Sequence, residues 1–357
     1  MSRLFPTTIT VCVLLFASLI AHAAGDTLTI GGVTIKPSSR TDLRINIPAG
    51  RSDPATFIPV TVLAGAKPGP TVLLVAGVHG FEFTSVLAAE QLATSIAPSA
   101  LSGNLILVRV AHIPAFEARV PYVNPFDRKN LNRSFPGAAD GSQTERIAHA
   151  LSTKLIAEAD FVIDAHSGDG AEWLASFVGV FGGPLASDYP KALGVAHAIG
   201  LPNIVRYSMH TQQQVDSRRS LNRQAVAEGL PTVIVEIGEN GQRDPANVRM
   251  MVDGIRSALA FLSMLPATPP SATGTPAYFE GTTSVPVEHS GLWHPATAHG
   301  RMVTKGETLG ELRDYSGALV ETVVAPVSGF ALYGLAGPPV RAGESVMTIA
   351  TPVDTLK

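Results

Sequence analysis

The sequence predicts an α/β fold, a mainly parallel or mixed sheet flanked by helices, followed by a small, barrel-like all-β domain. Three observations carry this. Almost wholly apolar runs recur along the chain: TVLLVAGV (71–78), NLILVRVAHI (104–113), FVIDAHS (161–167) and PTVIVEIGENG (231–241). They alternate with segments whose apolar residues recur at helical spacing, and after residue 276 that spacing disappears. A strand covered on both faces reads as a continuous apolar run, and strands alternating with helices build a layered domain.

The elements follow in order. The chain opens with Arg3, the apolar run ITVCVLLFASLIA (9–21) and Ala21-His22-Ala23, the pattern of a cleavable signal peptide over residues 1–23. The run is short for a bilayer and polar residues follow at once, so a stable membrane anchor is the lesser alternative. The only cysteine, Cys12, lies inside this leader. An exported mature protein, periplasmic or secreted, therefore has no disulfide and must hold any metal with His, Asp or Glu.

Residues 24–264 form the expected main domain. TLTIGGVTI (27–35) and LRINI (43–47) read as hairpin strands, and IPVTVLAG (58–65) precedes the first apolar run. Helices are expected over 83–96, 144–157 and 185–200, one between each pair of successive buried strands, with a closing helix over 248–264. LPATPPSATGTP (265–276) reads as a linker. Residues 277–357 contain two similar passages, HGRMVTKGETLGEL and PPVRAGESVMTIA, each with Val-x-x-Gly-Glu. Such a quasi-repeat suits a small barrel of paired hairpins, resembling a biotinyl/lipoyl-type barrel without the Met-Lys-Met attachment tripeptide; an ordinary β sandwich is the alternative.

With 357 residues, 45% of them hydrophobic and 15% charged, the chain can bury a large core. A net charge of −3 without a basic block gives no nucleic-acid footprint. The expected partner is a small molecule, and nothing in the sequence speaks to oligomeric state.

The chemistry gathers at strand ends. His79 and Glu82 follow the run 71–78, where Gly77 and Gly80 let the backbone turn, and His166 closes FVIDAH. Open α/β sheets place ligands beyond the carboxyl ends of their strands. Two imidazoles and a carboxylate there can converge on one Zn²⁺ per chain and leave a position for water. The alternative is that Glu82 caps the following helix and His166 is a hydrogen-bonded core residue. Asp164 shares a face with His166 and can orient it.

Glu236 ends TVIVE (232–236), where an acid after four apolar residues is costly unless it faces a cleft, and beside a metal it suits a general base. Glu239 competes from the following turn. The loop NPFDRKNLNRSFPG (124–137) offers Arg128, Asn132 and Arg133 for a carboxylate.

HGFE (79–82), NLNRSFPG (130–137), DAHSG (164–168) and VEIGENG (235–241) come in the order seen in the succinylglutamate desuccinylase/aspartoacylase family, zinc carboxypeptidase-like hydrolases, which the chain resembles over about residues 50–340. The resemblance implies that His79, Glu82 and His166 bind zinc, that Glu236 activates water, and that Asn132 and Arg133 hold a substrate carboxylate. It also implies a second substrate-side arginine at Arg223. The family's carbonyl-polarising arginine is missing, since Pro125 occupies its place eight residues before Arg133; Arg119 is the expected substitute, with Arg128 as the other choice. Asn130 stands where the family's Asp-Leu-Asn-Arg has aspartate, and the leader departs from cytoplasmic members.

The expected function is thus an exported zinc amidohydrolase that deacylates a small N-acyl amino acid by metal-activated water. A zinc carboxypeptidase acting on peptides or cell-wall fragments and a non-catalytic module for anionic ligands are the rivals.

Overall fold

The computed structural model describes residues 28–216, 219–267 and 274–356. The signal peptide expected at 1–23 and the middle of the linker expected at 265–276 lie outside the described residues.

Short strands β1 (Thr29–Ile30) and β2 (Val33–Thr34) form the opening hairpin. Next come β3 (Ser39–Ile47), β4 (Thr56–Ala64) and β5 (Lys67–Ala76), then helix α1 (Phe83–Ser95) and β6 (Ser102–Val108). Helices α2 (Ile113–Ala118) and α3 (Gln143–Lys154) lead to β7 (Phe161–His166). Strands β8 (Glu172–Leu174) and β9 (Phe177–Gly182), helix α4 (Tyr189–Ile199) and β10 (Asn203–Ser208) follow. Helices α5 (Gln212–Asp216) and α6 (Leu221–Ala227), strand β11 (Thr232–Glu236) and helix α7 (Pro245–Phe261) close the main domain. The C-terminal part is all strand: β12 (Ala277–Pro286), β13 (Gly291–Pro295), β14 (Met302–Val303), β15 (Thr308–Arg313), β16 (Leu319–Val324), β17 (Gly329–Leu335), β18 (Pro339–Val340) and β19 (Ser345–Val353).

The apolar runs sit at the centre of the main sheet, where β5 pairs in parallel with β6 and β7, and β7 with β11. Helices α1, α4 and α7 cover one face of this sheet, and α3 and α6 the other. Burial on both faces explains why these strands carry no polar alternation. β9, not expected from the sequence, runs antiparallel to β11 and parallel to β10, making the sheet mixed. Its glycines hide it: a Cβ at Gly179 would press on Ile234 and Tyr207, so packing selects Gly where a strand pattern asks for a β-branched residue.

The sheet does not stop at the linker. β12 pairs in parallel with β10, and β19, β17 and β14 extend the same sheet. A four-stranded sheet of β16, β15, β13 and β18 faces this extension across a core centred on Trp293, which is 1% exposed. The boundary expected between 264 and 277 is therefore a change of layer partner within one hydrogen-bonded sheet. The quasi-repeat has a local cause. Gly306 and Gly343 both take a φ of about +86°, and the following glutamate's carboxylate accepts the N–H three residues back (Thr304 to Glu307, 3.0 Å; Arg341 to Glu344, 2.9 Å).

Replacing Trp293 with alanine empties the centre of this small core. The expected loss is about 3–5 kcal/mol of unfolding free energy, read as a lower midpoint in urea denaturation.

Candidate metal centre and active site

The trio assembles because of register. Ala76 at the end of β5 pairs with Ala165, and His166 pairs with Glu236 at the end of β11, so three neighbouring strands end on one line. Gly77 turns the chain at φ +66°, and a Cβ on Gly80 would lie 2.5 Å from the carbonyl oxygens of Ala115 and Val120. Only glycine lets the His79 loop lie that close to α2.

Glu82 is the N-cap residue of α1, yet its side chain makes no capping hydrogen bond. It turns to the imidazoles instead. His79 Nδ1 and His166 Nδ1 lie 2.5 Å and 3.0 Å from Glu82 Oε1, and His166 Nδ1 is also 3.0 Å from the buried Oε2, an ion-pair contact without hydrogen-bond alignment. One ligand atom from each of the three residues falls within 4.8 Å of the others. The outer nitrogens also face oxygens. His79 Nε2 lies 3.2 Å from Asn130 Oδ1, which accepts the Asn132 N–H as well, and His166 Nε2 lies 2.9 Å from Asp164 Oδ1 as an ion pair without hydrogen-bond alignment. Acceptors there favour the Nε2–H tautomer and leave each Nδ1 lone pair for a cation.

Charge points the same way. Burial raises the Glu82 carboxyl, but the His166 and His79 imidazoles outweigh it and bring it to about 2. Burial disfavours charge on both histidines, yet Glu82 raises His79, and Asp164 with Glu82 holds His166 well above its ordinary value. Two buried carboxylates thus demand positive charge between them. Two imidazole nitrogens and a buried carboxylate fit Zn²⁺, which binds such donors at roughly 2.0–2.2 Å.

The trio forms one wall of a cavity of ≈ 520 Å³, which Glu236, Asn132, Arg133 and Arg223 also line. Burial pushes the Glu236 carboxyl well above the usual range; Glu82, Glu172 and Asp164 add to this and His166 opposes it. Asn132 Oδ1 accepts the Leu221 N–H at the start of α6 (3.0 Å), so the loop and α6 are locked together. Burial and the nearby Arg133 charge lower the Arg223 guanidinium from its ordinary value. Glu239 sits in the next turn, 3.3 Å from His299.

Two expected residues are not brought to the site. Arg119 caps α2 in the left-handed conformation and Arg128 adopts φ +60° in a turn; both are exposed and neither lines the cavity. The cavity has instead Arg219, whose carbonyl accepts the Phe135 N–H (3.2 Å), and Tyr122, Glu172 and Tyr333. Arg219 was visible only as half of an Arg-Arg pair in a polar stretch. Tyr333 comes from β17, its ring stacked on Phe177 at 6.4 Å, and no local signal links it to residues so distant in sequence.

A model of the succinylglutamate desuccinylase/aspartoacylase catalytic domain matches residues 68–262. The N-alpha-acetyl-L-2,4-diaminobutyric acid deacetylase of Halomonas elongata is 30% identical over 279 residues, 76% of this chain and 78% of that protein. Among solved structures, the product-bound ectoine utilization protein EutE (DoeB) of Ruegeria pomeroyi superposes with a TM-score of 0.79 at 24% identity, over 89% of this chain and 97% of its own. A succinylglutamate desuccinylase/aspartoacylase from Rhodobacter sphaeroides gives 0.77 at 23% identity, over 88% and 96%. At these identities the structures speak to the fold alone.

The purified protein is expected to carry about one zinc per chain by elemental analysis, and Glu82→Gln or His166→Ala to lose most of it. Because both histidines hold protons above their ordinary range, acid competes with the metal. Zinc affinity by competition titration should fall at least tenfold from pH 8 to pH 6.

Proposed function

The chain belongs to the succinylglutamate desuccinylase/aspartoacylase family, and from that footing we propose that it is a zinc-dependent amidohydrolase that deacylates a small N-acyl amino acid. The observation that carries this reading is Glu236 paired in register with the ligand His166 on the rim of a cavity holding an arginine pair. Those groups match the needs of amide hydrolysis: a base, an electrophile and an anchor for the substrate carboxylate.

His79, Glu82 and His166 would hold Zn²⁺, which would supply a Lewis acid for the amide carbonyl and positive charge that favours ionised Glu236. The carboxylate of the substrate lies in the fork of Arg133, with Arg223 beside it. Asn132, its oxygen engaged by α6, keeps its amide N–H groups to donate. Glu236 takes a proton from the attacking water as its oxygen bonds to the carbonyl carbon. It returns that proton to the nitrogen as the C–N bond breaks, leaving a carboxylic acid and a free amine. Arg219 is the cavity arginine without a substrate-carboxylate role, and it takes the carbonyl-polarising role that Pro125 cannot.

Glu236→Gln keeps the shape and removes the base, so kcat should fall by at least 10²-fold with zinc content unchanged. The substrates to compare are N-acetyl and N-succinyl amino acids and dipeptides. Preferential cleavage of dipeptides would favour the carboxypeptidase reading, and undiminished hydrolysis by Glu236→Gln would remove the enzymatic one.

Export belongs to the same proposal, supported by the leader pattern of residues 1–23. Mass spectrometry of protein from the native host should find an N-terminus next to Ala23; an intact Met1 in active protein would count against export.

A further inference from the structure

Metal ligands, Glu236 and arginines account for part of the cavity lining. Another wall is apolar or aromatic, formed by Leu174, Phe177, Phe181, Tyr207, Ile234 and Tyr333. These residues come from β8, β9, β10, β11 and β17, all strands of the main sheet.

Register lays this wall out as a line that begins at the reacting end. Glu236 pairs with Phe177 and Ile234 with Gly179, while on the far side of β9 Phe181 pairs with Tyr207. Alternate residues of a strand share a face, so Phe177, Gly179 and Phe181 lie on the same face as Glu236 and Ile234. Phe177 and Phe181 mark its two ends, about 13 Å apart at a strand's rise per residue. Between them a Cβ on residue 179 would collide with Ile234 and Tyr207, so those side chains lie over β9 and cover the glycine. The Tyr207 and Phe181 rings meet at 5.4 Å, and Phe177 is stacked on Tyr333 at 6.4 Å. Phe181 also joins Met209, Val215 and Val226 in a buried cluster against which Tyr207 and Ile234 pack, and this holds the far end of the line in place.

An apolar wall on a cavity is wetted in the free protein, and an apolar ligand group that covers it releases that water. At ≈ 520 Å³ the cavity falls within the roughly 300–1,000 Å³ of pockets that enclose a whole small ligand. An acetyl group at the reacting end would leave most of the line uncovered.

We propose that the face formed by Phe177, Ile234, Phe181 and Tyr207 is an acyl subsite, so that the preferred substrate carries a medium-length aliphatic or an aromatic acyl group. This rests on the deacylase reading above. Connectivity assigns the wall to the acyl group. The acyl chain starts at the carbonyl carbon that Glu236 serves, where the line itself starts. A side chain shares its Cα with the carboxylate and is drawn towards Arg133 and Arg223 instead. Each methylene moved from water onto such a wall is worth roughly two- to fourfold in affinity.

The test measures kcat/KM of the zinc-loaded protein for N-acetyl-, N-butanoyl-, N-hexanoyl- and N-benzoyl-L-alanine, alongside N-acetyl-L-norleucine. Hexanoylalanine should exceed acetylalanine by roughly tenfold or more, chiefly through KM. Acetylnorleucine, with its added carbons on the side chain, should gain much less. Phe181→Ala and Ile234→Ala should each cut the hexanoyl-to-acetyl ratio severalfold. Acetylalanine used as well as hexanoylalanine by the wild type overturns the proposal, as does a larger gain for acetylnorleucine. A role confined to packing would lower kcat for every chain length alike in both variants, and that outcome overturns it too. Calorimetry gives a readout without turnover: Glu236→Gln protein should bind hexanoylalanine more tightly than acetylalanine and with a more negative heat-capacity change. Tighter hexanoylalanine binding by a wild type that hydrolyses none of these amides would keep the apolar subsite and sink the deacylase reading. Equal binding in such a protein would sink both.

Discussion

A carboxylate held between two imidazoles at the edge of an apolar sheet is the interaction on which the rest of the site depends. Glu82 and Asp164 are 2% and 0% exposed, and their charges cannot stay in that environment without positive partners. The geometry meets this with nitrogen donors whose outer atoms are already engaged by Asn130 and Asp164. The close-packed Gly80 loop, the unused capping position of Glu82 and the shared endpoint of β5, β7 and β11 all serve to hold that arrangement. Each is unfavourable or wasteful locally, which is the mark of a site rather than of packing.

Around that centre the cavity is divided by charge. The arginines arrive on the loop before α3 and on the first turn of α6, and Asn132 bolts the two together. The carboxylates that line the cavity are Glu82 before α1, Glu236 at the end of β11 and Glu172 on β8, which is paired to the C-terminal strand β17. The all-β part is therefore a structural component of the site: Ala175 N–H to Leu332 and Ala336 N–H to Ala171 bracket the segment that carries Glu172.

Much of this was legible in the sequence. Central strands buried on both faces announce themselves as apolar runs, and a His, a His-x-x-Glu and a Glu at the ends of three such runs are conspicuous because apolar strands seldom end in acids. The arginine shell was not legible in the same way. Arg119, Arg128 and Arg219 all sit in polar segments, and only Arg219 reaches the cavity. Strand β9 was hidden by glycines that packing requires, and β8 is three residues long, too short to show a period. Glu172 comes just after Gly168-Asp169-Gly170, and only its pairing with β17, far along the chain, places it on the cavity wall.

That partnership sets an order of events. The pairing of Glu172 with Leu335, and of β10 with β12, joins residues from distant parts of the polypeptide, so loop closure must precede formation of this wall. A nascent chain can build β5 to β7 and bring the imidazoles to Glu82 while the last strands are still unmade. Its substrate wall forms only once the C-terminal strands dock. The wall carried by β8 is thus assembled from the middle and the end of the polypeptide, and it is the last part of the cavity to close.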